Sequence, residues 1–169
     1  VSLGEEVIAP YVKPDADGTP MFILPGRPGN LLPYLGYAPG AYLGQMVDLI
    51  LKESATAIHF DRVYETDMAE GLKAMALEGH GIAFLPFSAV KKELRARKLV
   101  SALPPDMSGL QITMDVRAYR ERPVSSDSSR SSARGQRVAV QSPKSKTQAA
   151  KGTAQALWDY LLTQSVEKT

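Results

Sequence analysis

The stretch Val63-Tyr64-Glu65-Thr66-Asp67-Met68-Ala69-Glu70-Gly71-Leu72-Lys73-Ala74-Met75-Ala76-Leu77-Glu78-Gly79-His80-Gly81-Ile82-Ala83-Phe84-Leu85-Pro86 decides the fold class. His59, Phe60, Val63 and Tyr64 make a β-prone run that reads as a strand. Glu65-Thr66-Asp67 then offers an N-cap, with Glu70 three residues beyond Asp67 as a capping-box partner. Met68, Leu72, Met75 and Ala76 mark the buried face of a helix, and Gly79 is a natural C-terminal stop. Gly81 to Pro86 is an apolar run of strand length closed by proline. Strand, helix and strand in this order predict an α/β sheet with right-handed crossovers.

The alternation extends outward. Leu31 to Tyr37 is a short apolar run broken by Ala38-Pro39-Gly40. From Gly40 to Ser54, the residues Tyr42, Leu43, Met46, Val47, Ile50 and Leu51 share one helical face. Beyond Pro86, Ser88 caps a third helix, with Val90 and Leu94 inside and Lys and Arg on its wet face. Leu99 to Leu103 reads as a short strand. Ile112 to Tyr119 alternates cleanly as a half-buried one. Ala154, Leu157, Trp158, Leu161, Leu162 and Val166 mark a terminal amphipathic helix.

Two stretches read differently. Residues 1–30 are dense in Pro, Gly and Asp, which predicts a connecting segment with at most short strands. Val124 to Thr147 holds eight serines, five basic residues and almost no large apolar side chain, so a flexible loop is expected. Between Arg117 and Lys151, nine Lys or Arg face only Glu121 and Asp127, a local net of +7. The whole chain of 169 residues carries +2, so the remainder sums to −5. Basicity is therefore confined to one segment, and the body is no polycation shaped around nucleic acid. With no cysteine, disulfide scaffolds, thiolate metal sites and cysteine nucleophiles are excluded. No apolar run is long enough for a membrane span, and the amino terminus lacks the pattern of a secretory signal, so the expectation is a cytoplasmic protein with no membrane partner.

The Val63–Pro86 block resembles the effector-binding domain of LysR-type transcriptional regulators, in which a strand and helix lead into a Gly-x-Gly-Ile-Ala-x-Leu-Pro strand. The match continues through Val90 to Arg97, Lys98-Leu99-Val100, Val116 to Arg120 and Ala156 to Leu161. Leu32-Pro33-Tyr34-Leu35-Gly36-Tyr37 followed by Gly40-Ala41-Tyr42-Leu43-Gly44 looks most like the hypochlorite-responsive members. Those sense oxidant through methionine; here Leu43 stands at the key position, while Met68 matches a second one.

This resemblance implies Rossmann-like lobes of the periplasmic-binding-protein type, with a mostly parallel sheet flanked by helices. Residues 31–110 would form the second lobe, and 1–30 the crossover with a remnant of the first. Residues 111–169 would hold a return strand, a disordered Ser/Arg/Lys-rich loop (124–150) and a C-terminal helix. It also implies a homodimer, a tetramer in the whole protein, and DNA contact through a helix-turn-helix absent from this chain.

A small-molecule effector or an oxidant is the expected partner, with no cofactor and no metal. The expected effector residues are Gly40, Ala41, Tyr42, Leu43, Thr66 and Met68, with Met68 a redox-sensing candidate. Two helix starts fall there, and helix N-termini favour anions. Thr66 also reads as a cap of its own helix, a role compatible with effector contact. Glu65 and Asp67 would repel an anion, which favours a neutral or cationic effector unless they turn away. His80 reads as a turn residue or a pH sensor, and His59 as a packed or exposed strand residue rather than a functional one. Most of the six methionines fit packing as well as sensing. A stand-alone solute binder and a small α/β enzyme are the rival readings. The enzyme lacks a Gly-x-Ser-x-Gly elbow, a phosphate loop and a dinucleotide fingerprint, so no catalysis is expected.

Overall fold

The structure, a computed structural model, describes residues 1–107, 109–120 and 145–166, with side chains in the last helix described from 153 to 163. Its strands are β1 (Ser2–Val12), β2 (Leu32–Tyr37), β3 (Phe60–Thr66), β4 (Ile82–Pro86), β5 (Val100–Ser101) and β6 (Ile112–Arg117). Its helices are α1 (Tyr42–Glu53), α2 (Ala69–Leu77), α3 (Phe87–Arg95) and α4 (Ser145–Val166). Two compact units are present: Glu5–Met114, and Val1–Gly4 with Asp115–Thr169.

The larger unit holds the expected α/β sheet, ordered β3-β2-β4-β1-β5. The sheet is mixed. β2 pairs parallel with β3 and with β4, whereas β1 runs antiparallel to β4 and to β5. The parallel part, β3-β2-β4, is where α1 and α2 make their crossovers. β4 has its Ile82, Ala83, Phe84 and Leu85 all fully buried, as a strand covered on both faces must be. Val47, Leu72, Ala76 and Val90, one face each of α1, α2 and α3, complete the same core.

The expectation for residues 1–30 is corrected by β1, an eleven-residue strand whose Ile8 to Val12 are consecutively buried. Pro10 sits inside it, paired opposite Phe84, and its carbonyl accepts a hydrogen bond from the Ala102 amide at 3.0 Å. The ring therefore costs the strand only a donor. From Glu5 onward this segment belongs to the same compact unit as residues 31–110.

Capping differs from expectation at two helices. Neither Asp67 nor Ser88 caps: α2 starts after Met68 and α3 after Pro86, and neither start carries a side-chain cap. Glu70 instead pairs with Lys73 at 2.7 Å. The α3 start is served from β1, where the Glu6 carboxylate accepts the Ser88 and Val7 amides, each at 3.1 Å. Gly79 does end α2, with φ +86 and its amide donating to the Ala76 carbonyl.

The strand expected over Leu99 to Leu103 shortens to Val100–Ser101, although Leu99 and Ala102 are both core residues. In the smaller unit, the Val1 ammonium donates to the Ala118 carbonyl at 2.9 Å. There too the Arg120 guanidinium lies 5.5 Å from the Trp158 ring centre of α4. Residues 124–144 of the expected flexible loop lie outside the described residues, and its last part, from Ser145, is the start of α4. No helix among the described residues is long and apolar enough to cross a membrane.

Candidate functional site

Parallel pairing sets the site. Tyr37 at the end of β2 is in register with Thr66 at the end of β3, so both chains leave the sheet side by side. The Ala38 amide donates to the Thr66 carbonyl at 2.9 Å and ties the two exits together. From there one chain turns through Gly40, at φ +87, into α1, and the other through Asp67 and Met68 into α2. Both helix starts thus sit at the carboxyl ends of the parallel strands, the position where α/β folds take ligands.

The first turn of α1 has no side-chain cap, which leaves amides there able to receive an acceptor. Beside it lies a concavity of about 150 Å³ lined by Tyr34, Tyr37, Ala38, Pro39, Gly40, Ala41, Gly44, Gln45, Asp48 and Arg62. Gly44 makes this approach possible, since a Cβ there would lie 2.9 Å from the Tyr37 Cβ.

The floor is aromatic and tightly held. Tyr34 stacks on Phe60 with ring centres 4.5 Å apart. Arg62, its cross-strand partner, lies over the other part of that assembly, 5.4 Å from the Tyr34 ring centre. The Arg62 guanidinium also donates to the Tyr37 carbonyl at 3.2 Å and to the Glu65 carboxylate at 2.8 Å. Burial pushes the Tyr34 phenol up to about 12, with Arg62 acting against that shift and Asp48 with it. Tyr37 is raised as well, by burial and then by Tyr34, while its hydroxyl donates to the Phe84 carbonyl at 3.1 Å. Both phenols are therefore neutral at physiological pH. Charge at the cavity comes from Arg62 and Asp48.

The expected residues divide. Gly40 and Ala41 line the cavity. Tyr42 is 65% exposed at the outer side of α1, and Leu43 packs partly against the core. The Thr66 hydroxyl oxygen accepts the Met68 amide at 3.3 Å, so it shapes its own turn while keeping a proton to donate. Met68 does not lie on a buried helix face. It precedes α2 with extended backbone (φ −106, ψ 123) and is 62% exposed, because helical spacing does not govern a residue ahead of the helix. Glu65 is paired with Arg62, and Asp67 is exposed. His59 is half-buried and bound through its backbone to Pro25 and Leu32, whereas His80 is exposed.

Sequence reading missed Tyr34, Tyr37, Gln45, Asp48 and Arg62. Tyr34 and Tyr37 stood in the apolar run before Ala38-Pro39-Gly40 but were given no role. Arg62 becomes a cavity residue only through its register with Tyr34, which no local pattern encodes.

Comparison with known proteins agrees with this architecture. The pattern of the LysR substrate binding domain family matches residues 30–127. The chain is 32% identical over 120 residues to the HTH-type transcriptional regulator YjiE of Escherichia coli, covering 71% of this chain and 37% of that one. It is 31% identical over 120 residues to the HTH domain-truncated transcriptional regulator QseD of Escherichia coli, covering 71% and 47%. Full-length HypT of Salmonella typhimurium, a hypochlorite-specific LysR-type transcriptional regulator, superimposes with a TM-score of 0.60 at 28% identity, over 68% of this chain and 37% of that one. The chain thus spans less than half the length of the curated relatives it matches. On the match over residues 30–127 and the α/β fold that carries it, the chain belongs to the LysR substrate binding domain family.

Proposed function

We propose that this chain is the effector-sensing part of a DNA-binding transcriptional regulator of the LysR type, acting in the cytoplasm as a homodimer or tetramer and catalysing nothing itself. Glu5–Met114 would serve as the second effector lobe, and the smaller unit as crossover and remainder of the first. Small molecules would be read by Gly40, Ala41, Tyr42, Leu43, Thr66 and Met68, with Tyr34 and Arg62 as cavity floor. Occupancy favours one arrangement of the sensing domains and so shifts the DNA-binding modules, a population shift that needs only differential affinity. One observation carries this reading: β2 and β3 end in register, and the Ala38–Thr66 bond brings both helix starts to one end of the sheet.

The ¹⁵N-labelled chain titrated with small carboxylates, amino acids and neutral polyols tests it. Amide shifts are expected at Gly40 to Leu43, Thr66 and Met68. Thr66→Val and Tyr42→Phe should each weaken the best of these compounds roughly three- to tenfold, the loss of about one hydrogen bond, without unfolding the protein. Unchanged affinity in both variants would mean that the effector binds elsewhere.

The exposure of Met68 supports a second signal at the same place. In the reaction with hypochlorite, the thioether sulfur gains an oxygen atom and hypochlorite is reduced to chloride, leaving a polar sulfoxide. Met68 at 62% and Met21 at 45% are the most exposed methionines among the described residues. Peptide mass mapping after limiting hypochlorite should show Met68 modified ahead of Met21 and the four packed ones. Oxidation beginning at Met21, or equally at all, would remove the oxidant reading.

A further inference from the structure

The basic run of α3 plays no part in the site at the ends of β2 and β3. Lys91, Lys92, Arg95, Arg97 and Lys98 are all exposed, and the one acid among them, Glu93, faces Lys73 of α2 at 3.9 Å. Arg97 and Lys98 meet Lys13, from the end of β1, around a concavity of about 430 Å³ that Pro14, Leu77 and Glu78 complete. None of these three cations forms an ion pair among the described residues.

Two details set the Lys13 stem and the backbone at Arg97 and Lys98. The aliphatic stem of Lys13 lies against Gly79, where a Cβ would come within 3.2 Å of its Cδ. Arg97 stands at φ +53 just past the end of α3, its amide donating to the Leu94 carbonyl at 3.1 Å and that of Lys98 to the Glu93 carbonyl at 2.9 Å. Glycine takes this left-handed position freely, and an arginine takes it at a cost. A cation near the end of α3 complements its exposed carbonyls, but Arg95 in the last turn already supplies that. Arg97, Lys98 and Lys13 are in excess of it.

We propose that this concavity binds a small polyanion carrying a phosphate or pyrophosphate group, at a site separate from the cavity beside α1. Three cations lining one concavity match a multiply charged oxyanion, with Arg97 able to grip it bidentately. Glu78 at the rim limits affinity.

Inorganic pyrophosphate titrated onto the ¹⁵N-labelled 169-residue chain at fixed ionic strength is the test. Saturable shifts are expected at the amides of Lys13, Glu78, Arg97 and Lys98. Arg97→Gly should weaken binding about fivefold while leaving thermal stability unchanged or higher, because glycine relieves the backbone. Lys98→Gln should weaken it similarly, and Glu78→Gln should strengthen it. Linear shifts that also involve Lys52 and Lys91, or equal affinity in Arg97→Gly, would overturn the proposal. Mixed-sequence duplex DNA saturating these amides where pyrophosphate does not would overturn it in favour of a nucleic-acid backbone.

Discussion

Replacing Phe84 with alanine should cost about 3–5 kcal/mol, the usual penalty for emptying a buried aromatic site. Phe84 is fully buried in β4, which is paired on one side with β2 and on the other with β1. Its ring meets Tyr34 edge-on, with centres 6.4 Å apart, and Tyr34 in turn stacks on Phe60. Loss of the Phe84 ring therefore leaves a void behind the aromatic floor of the cavity as well as in the core. The Phe84 carbonyl that holds the Tyr37 hydroxyl remains, but the strand carrying it is no longer packed. Thermal unfolding followed by circular dichroism should show a midpoint lowered by roughly 10–20 °C. A midpoint within a few degrees of the parent would contradict this core.

Gly81→Ala should be nearly as damaging, for a steric reason. A Cβ at Gly81 would lie 2.5 Å from the Pro33 carbonyl oxygen and 3.0 Å from the carbonyl carbon, both backbone atoms of β2. Neither can turn aside, so β4 must move away from β2, and the Tyr34–Ile82 and Leu35–Ala83 register is lost or stretched. Overpacking of this kind costs about 3 kcal/mol. Gly109→Ala is the control, because nothing lies within 4 Å of the added Cβ. Unfolding midpoints in denaturant should separate the two variants clearly, and equal midpoints would show that β4 and β2 are not this close.

What the sequence disclosed follows from how locally each feature is encoded. The strand–helix–strand unit of β3, α2 and β4 was legible because its period changes, Gly79 stop and apolar run all lie within consecutive residues. β1 was not legible. Its five consecutive buried residues include a proline, and a strand buried on both faces shows no alternation. The caps failed for a related reason: the acceptor for Ser88 is Glu6, on the first strand of the sheet, so a local rule had nothing to find.

At the site, Gly40, Ala41 and Thr66 were visible as helix starts, and the structure brings those starts to one sheet end. Tyr34, Asp48 and Arg62 were invisible as a group, because only strand register and the rotation of α1 bring them together. Met68 carries the opposite lesson: helical spacing buried it, but one position ahead of α2 the spacing no longer applies.

If this domain serves a DNA-binding regulator, as proposed, the native protein must hold DNA selectively. Genomic fragments retained by the protein purified from its own cells should be sequenced, with and without prior hypochlorite. A small set of discrete sites is expected, enriched far above bulk DNA, whose retention changes on treatment or on adding a compound that shifts Gly40 to Leu43 and Thr66. Retention no better than bulk DNA under every condition would contradict it.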